Sequence, residues 1–169
     1  MWVFGYGSLM WDGWQAQHAC LRSNKATLPG YRRIFNKASV RNWGTPAQPG
    51  PTLNIAEDPT ASCVGFAFEF PDDERKAVMA TLRDREGRNF QLEEREVVLD
   101  CGTHVQAIAP RYVGPNLICD KTLVALAEMA RKATGTDGRC ADYVTNIAEK
   151  LASLGIDDPA VQEFSQQVR

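Results

Sequence analysis

Two short stretches of this sequence carry residue types suited to chemistry on a small substrate. The first is Gly5-Tyr6-Gly7-Ser8, preceded by Phe4 and followed by Leu9. Glycines on either side of a tyrosine let the backbone take unusual dihedrals and approach a ligand closely. Successive amides in such a turn form an anion-binding nest, and the serine hydroxyl adds a donor. An ordinary tight turn has the same composition. No Gly-Lys-Ser/Thr follows, so the run is not a phosphate loop. The second stretch is Arg85-Glu86-Gly87. The glycine marks a helix end there, where the negative pole of the helix dipole disfavours ionisation and suits Glu86 to act as a base. Arg83, Arg85 and Arg88 oppose that effect, and a solvated helix-end glutamate has the same local sequence.

Other groupings offer less. Ser8 lacks a nucleophile elbow, and a serine triad would have to draw on His18 or His104, the two histidines of the chain. Neither histidine stands in ligand spacing with a cysteine, so no zinc site is expected. The five cysteines are scattered, odd in number and without a close pair, which reads as reduced thiols in the cytoplasm. Glu93-Glu94-Arg95-Glu96 reads as the solvated face of a strand, and Arg32-Arg33 as a surface pair. Tyr112, between Pro110 and Gly114-Pro115, lines a pocket or packs on the core.

The elements that must position these residues follow from composition and periodicity. A chain of 169 residues with 44% hydrophobic residues buries a core without disulfides or metal, and one domain over residues 1–169 is expected. A net charge of −2 gives no footprint for nucleic acid or an anionic membrane. No apolar run approaches the roughly 20 residues that span a bilayer. The opening residues lack the basic and long apolar regions of a signal peptide, so a cytoplasmic protein is expected.

Trp2 to Tyr6 reads as a short strand running into the glycine turn. Strand-like residues continue over 26–38, a loop covers Thr45 to Pro51, and Cys63 to Phe70 alternates as a half-buried strand with Val64, Phe66, Phe68 and Phe70 on one side. A helix capped by Asp72 or Asp73 carries Val78 and Leu82 on one face and ends near Glu86. Phe90 to Leu99 and Val105 to Ala109 form a hairpin turning at Asp100-Cys101-Gly102. Three helices follow. The first is capped by Asp120 and stopped by Gly135, the second ends at Gly155, and the third starts at Asp158-Pro159. The fold class is α+β, a mainly antiparallel sheet or barrel followed by helices.

Taken in order, these segments resemble the ChaC-like γ-glutamylcyclotransferases. Trp2-Val3-Phe4-Gly5-Tyr6-Gly7-Ser8-Leu9-Met10-Trp11 is similar to the family's first motif, and Gly30-Tyr31-Arg32-Arg33-Ile34-Phe35 to its second. Gly44-Thr45-Pro46, Leu82 through Arg85-Glu86-Gly87, Tyr112-Val113-Gly114-Pro115 and Asp142-Tyr143-Val144 fit in sequence, so the likeness spans nearly the whole chain. It implies a small, mostly antiparallel β-barrel with flanking helices. The implied substrate is a small γ-glutamyl compound such as glutathione, whose own α-amine attacks the γ-carbonyl to give 5-oxoproline and cysteinylglycine. No cofactor or metal is implied. Glu86 is the implied base. Phe4, Gly5, Tyr6, Gly7, Ser8 and Leu9 form the substrate cradle, with Tyr112 as a further contact. Cyclisation of other γ-glutamyl amines or peptides, and non-catalytic γ-glutamyl binding, fit the same motifs.

Overall fold

Strand alternation and one amphipathic helix build the part of the chain that carries both stretches. In the computed structural model, which describes residues 1–169, the chain divides into two units: residues 1–32 with 55–114, and residues 33–54 with 115–169. Five strands close a barrel: β1 (Trp2–Gly5), β2 (Arg22–Ser39), β3 (Gly50–Glu69), β4 (Phe90–Leu99) and β5 (His104–Tyr112), in the spatial order β1-β3-β2-β4-β5. The β1–β3, β2–β4 and β4–β5 pairings are antiparallel, and β1 against β5 is parallel. This is the mostly antiparallel barrel with flanking helices that the resemblance implies.

In the first unit the β4–β5 hairpin turns where expected. Gly102 has φ +83°, a left-handed value that favours glycine, and the Gly102 N–H donates to the Leu99 carbonyl. The β3 expectation needs correction. Phe68 and Phe70 are fully buried, Val64 and Phe66 only partly, and the opposite face is also buried at Cys63 and Ala67. The closed barrel covers one face of the strand, and the cluster under α1 covers the other at Phe68 and Phe70, so one buried face does not describe it. Gly65 is small because the Phe4 ring occupies the space beside it: a Cβ there would stand 2.8 Å from that ring. The strand also continues back through Pro51 to Gly50, residues expected to be loop. A proline is tolerated at the start of a strand.

Helix α1 (Arg75–Glu86) places Val78 and Leu82, four residues apart, on one face. Both are fully buried in a cluster with Val3, Leu9, Trp14, Phe68, Phe70 and Ile108. Each such side chain contributes about 1.5–3 kcal/mol by leaving water. The expected cap is corrected. Asp72 begins a 3-10 turn (Asp72–Glu74) ahead of the helix, and its carboxylate accepts from the N-terminal ammonium at 2.9 Å instead. The helix stops at Glu86 because Gly87 turns the chain with φ +87° and donates to the Arg83 carbonyl.

The second unit holds the end of β2, the start of β3 and three helices, α2 (Leu123–Lys132), α3 (Cys140–Ser153) and α4 (Pro159–Val168). The α2 cap is Thr122, whose hydroxyl accepts from the Ala125 N–H at 3.2 Å, and not Asp120. The helix ends at Lys132, ahead of Gly135. α4 matches its sequence reading: Asp158 caps it, Pro159 opens it, and Val161, Phe164 and Val168 are buried. Arg33 overturns its assignment to the surface. It is buried and pairs with the Asp158 carboxylate at 2.9 Å, while Phe35 packs on Phe164 with ring centroids 4.5 Å apart. No helix is long and apolar enough to cross a membrane.

Candidate active site

The glycine turn leaves the barrel at the end of β1. Gly5 still pairs with Phe66, and a 3-10 turn follows over Ser8–Met10 with the Met10 N–H donating to the Gly7 carbonyl at 2.9 Å. The Ser8 and Leu9 N–H groups open that turn, so its own geometry gives them no partner within it. They are donors left for an acceptor outside the turn. Neither Gly5 nor Gly7 takes a left-handed φ, but Gly7, at φ −136° and ψ −134°, lies outside the regions open to most residues, as expected of it. Close approach explains Gly5 instead: a Cβ there would lie 3.0 Å from the Leu9 Cβ.

The turn is fixed from behind. The Leu9 side chain is buried in the α1 cluster, and the Leu9 carbonyl accepts from the Trp14 indole N–H at 3.0 Å. Trp14 is itself packed on Phe68 and Phe70, with ring centroids 5.9 and 5.3 Å away. This rigid backing suits a site whose amides must hold one geometry.

Glu86, the last residue of α1, has a side chain 18% exposed, so the carboxylate is mostly covered yet reachable. Its Oε1 lies 3.3 Å from Arg85 Nε. The same guanidinium donates through Nη2 to Ser8 Oγ at 2.8 Å and also pairs with the Asp12 carboxylate. One side chain therefore joins the helix end to the glycine turn. The Ser8 hydroxyl accepts this bond from a cation, which draws electron density from its oxygen. That suits Ser8 to donate to a ligand, not to attack one.

The other candidates divide. Tyr6 and Leu9 are buried side chains on the turn, and Phe4 is wholly buried against Gly65. Tyr112 is buried with its ring 5.3 Å from that of Phe90. The loop after Glu86 is tied to the end of β5, since the Val113 N–H donates to the Asn89 carbonyl at 3.0 Å. Gly114 must be glycine there, because a Cβ would stand 2.5 Å from the Tyr112 hydroxyl. Asp12 is the residue that sequence reasoning passed over. Asp12-Gly13 reads as a turn, and nothing local indicates that its carboxylate reaches Arg85.

All five cysteines are free thiols. Burial pushes the Cys140 thiol up to about 12, and it donates to the Pro51 carbonyl at 3.3 Å, as a structural thiol does.

A family model described as ChaC-like protein matches residues 1–169. Gamma-glutamylcyclotransferase 2-3 of Arabidopsis thaliana is 32% identical over 184 residues, covering 100% of this chain and 88% of that protein. The glutathione-specific gamma-glutamylcyclotransferase of Escherichia coli (strain K12) is 28% identical over 176 residues, covering 100% of this chain and 73% of that protein. Among solved structures, a yeast gamma-glutamyl cyclotransferase specific to glutathione superposes with a TM-score of 0.83 at 19% identity, covering 99% of this chain and 97% of its own. That last likeness is one of fold.

Proposed function

Because the chain belongs to the ChaC-like family, we propose that it is a γ-glutamylcyclotransferase that cyclises the γ-glutamyl group of glutathione, with residues 1–169 acting as one catalytic domain. The substrate brings its own nucleophile, the α-amine of its glutamyl group. At neutral pH that amine is an ammonium, and Glu86 takes its proton. The freed lone pair attacks the γ-carbonyl carbon and closes a five-membered ring. The carbonyl oxygen becomes an oxyanion, which accepts from the Ser8 and Leu9 N–H groups. The bond to the cysteine nitrogen then breaks as Glu86 gives that nitrogen the proton; the ring nitrogen gives up its remaining extra proton to Glu86, which passes it on, and the released amine leaves as an ammonium. The products are 5-oxoproline and cysteinylglycine.

Proton transfer of this kind is worth about 10²–10⁴-fold. The tethered nucleophile supplies much of the rest through effective molarity, once the glutamyl chain is folded into attack geometry. Neither step calls for a metal or a cofactor. The free cysteines suit a reducing cytoplasm, where glutathione is a soluble substrate.

Support for the site comes from the Arg85 guanidinium, which contacts the base at the helix end and the hydroxyl of the turn together. Incubating the purified protein with glutathione and a set of γ-glutamyl amino acids, with mass spectrometry of the products, tests the proposal. Equal amounts of 5-oxoproline and cysteinylglycine are expected from glutathione. Release of glutamate in their place, or no turnover of any compound, contradicts it.

A further inference from the structure

We propose that Arg85, held by Asp12, is a positioning residue that keeps the Glu86 carboxylate and the Ser8 hydroxyl in register; this rests on the γ-glutamylcyclotransferase reading. A guanidinium presents five N–H donors in one rigid plane. Three acceptors meet that plane here. Nη2 reaches Ser8 Oγ at 2.8 Å and the Asp12 carboxylate, and Nε faces Glu86 Oε1 at 3.3 Å. Two hydrogens on Nη2 and one on Nε match three oxygens.

The contact with Glu86 is not what a helix arranges by default. Residues adjacent in sequence do not face each other on a helix surface. At the last turn of α1 the Arg85 side chain instead folds toward its neighbour while spanning 77 residues to Ser8. Asp12 fixes it there. The Asp12 Oδ1 accepts from the Trp14 N–H at 3.2 Å, and Trp14 is the side chain that holds the Leu9 carbonyl. The frame behind the turn is thus connected to Arg85, and through Arg85 to the base. A lysine has its three donors on one nitrogen and cannot span the same acceptors. Arg85 and Asp12 are 29% and 27% exposed, so neither is a core residue whose loss would unfold the barrel.

The test uses the full chain with Arg85→Ala, Arg85→Lys, Asp12→Asn and the Arg85→Ala/Asp12→Asn double variant. Steady-state kinetics are measured on glutathione, alongside thermal unfolding. Misplacing a reacting group by about 1 Å costs roughly 100-fold, and a kcat loss of that order is expected for Arg85→Ala, with KM changed less than about threefold. Arg85→Lys should recover less than about a tenth of wild-type kcat. Asp12→Asn keeps an acceptor for Trp14 but removes the charge. It should lose about tenfold in kcat, and the double variant should be no slower than Arg85→Ala alone, since residues acting through one network are non-additive. Millimolar guanidinium should raise the kcat of Arg85→Ala, and sodium chloride at equal ionic strength should not.

An Arg85→Ala kcat above about a third of wild type, absence of guanidinium rescue, or losses that multiply in the double variant would each overturn the positioning role. If Arg85→Ala does not fold, Arg85→Lys and Asp12→Asn decide: kcat near wild type in both overturns the role. Wild-type turnover separates the two claims. A wild-type protein inert toward every γ-glutamyl compound overturns the function and the positioning role with it, whereas an active wild type with unaffected variants overturns only the latter.

Discussion

Two arginine–aspartate pairs in this chain are built alike and sit in opposite surroundings. Asp158 caps α4, accepting from the Val161 N–H at 3.1 Å through Oδ1, and its Oδ2 pairs with Arg33. Asp12 accepts from the Trp14 N–H through Oδ1, and its Oδ2 pairs with Arg85. Each aspartate thus fixes a backbone turn with one oxygen and an arginine with the other. The Arg33 side chain is 1% exposed, whereas that of Arg85 is 29% exposed and also contacts Ser8 and Glu86. The first pair is sealed, so its charges answer only to the protein. The second stands where a ligand's charges can meet it. Burial, not residue type, separates a structural ion pair from one available to chemistry.

The contrast is sharpest at the group that only one of the pairs serves. Glu86→Gln keeps size and hydrogen bonding but cannot take the ammonium proton, and a kcat loss of about 10²–10⁴-fold is expected with little change in unfolding. Retention of more than about a tenth of the rate would remove Glu86 from the role of base. Arg33→Met should reverse the pattern. It strands a covered aspartate, and loss of one partner of a buried pair costs about 3–5 kcal/mol, read by denaturant unfolding. The folded fraction should turn over normally, and adding Asp158→Asn, which preserves the cap, should restore much of the stability. A kcat collapse in folded Arg33→Met would break the comparison. Ser8→Ala is the mildest. It removes one hydroxyl from the Arg85 network, worth about 0.5–1.5 kcal/mol, and so should slow catalysis by no more than about tenfold. A loss as large as that of Glu86→Gln would make Ser8 a nucleophile.

Local signals in the sequence carry the elements whose ends are set by adjacent residues. Asp158-Pro159 predicts the α4 start, Gly87 the α1 end and Gly102 the β4–β5 turn, because caps and left-handed glycines act over a few residues. Asp120 fails as a cap because the hydroxyl of Thr122, immediately before the helix, occupies that position. Both faces of β3 near Ala67 are buried because the barrel closes over one and the α1 cluster covers the other, and both depend on elements far apart in the chain. The same distance hides the partners. Arg33 meets Asp158 across 125 residues and Arg85 meets Ser8 across 77, and no spacing rule reaches that far. The motifs nominate the turn and the glutamate, while the residues that hold them together emerge only from the packed chain.

In the proposed reaction the substrate's own α-amine is the nucleophile, and a comparison of glutathione with N-acetylglutathione in ¹⁸O-labelled water tests this. Acetylation removes the attacking lone pair and leaves the scissile amide unchanged. The expected result is turnover of glutathione alone, with 5-oxoproline free of ¹⁸O. Cleavage of the acetylated compound, or ¹⁸O in glutamate released during the first turnover, would mean that water attacks and the protein is a hydrolase.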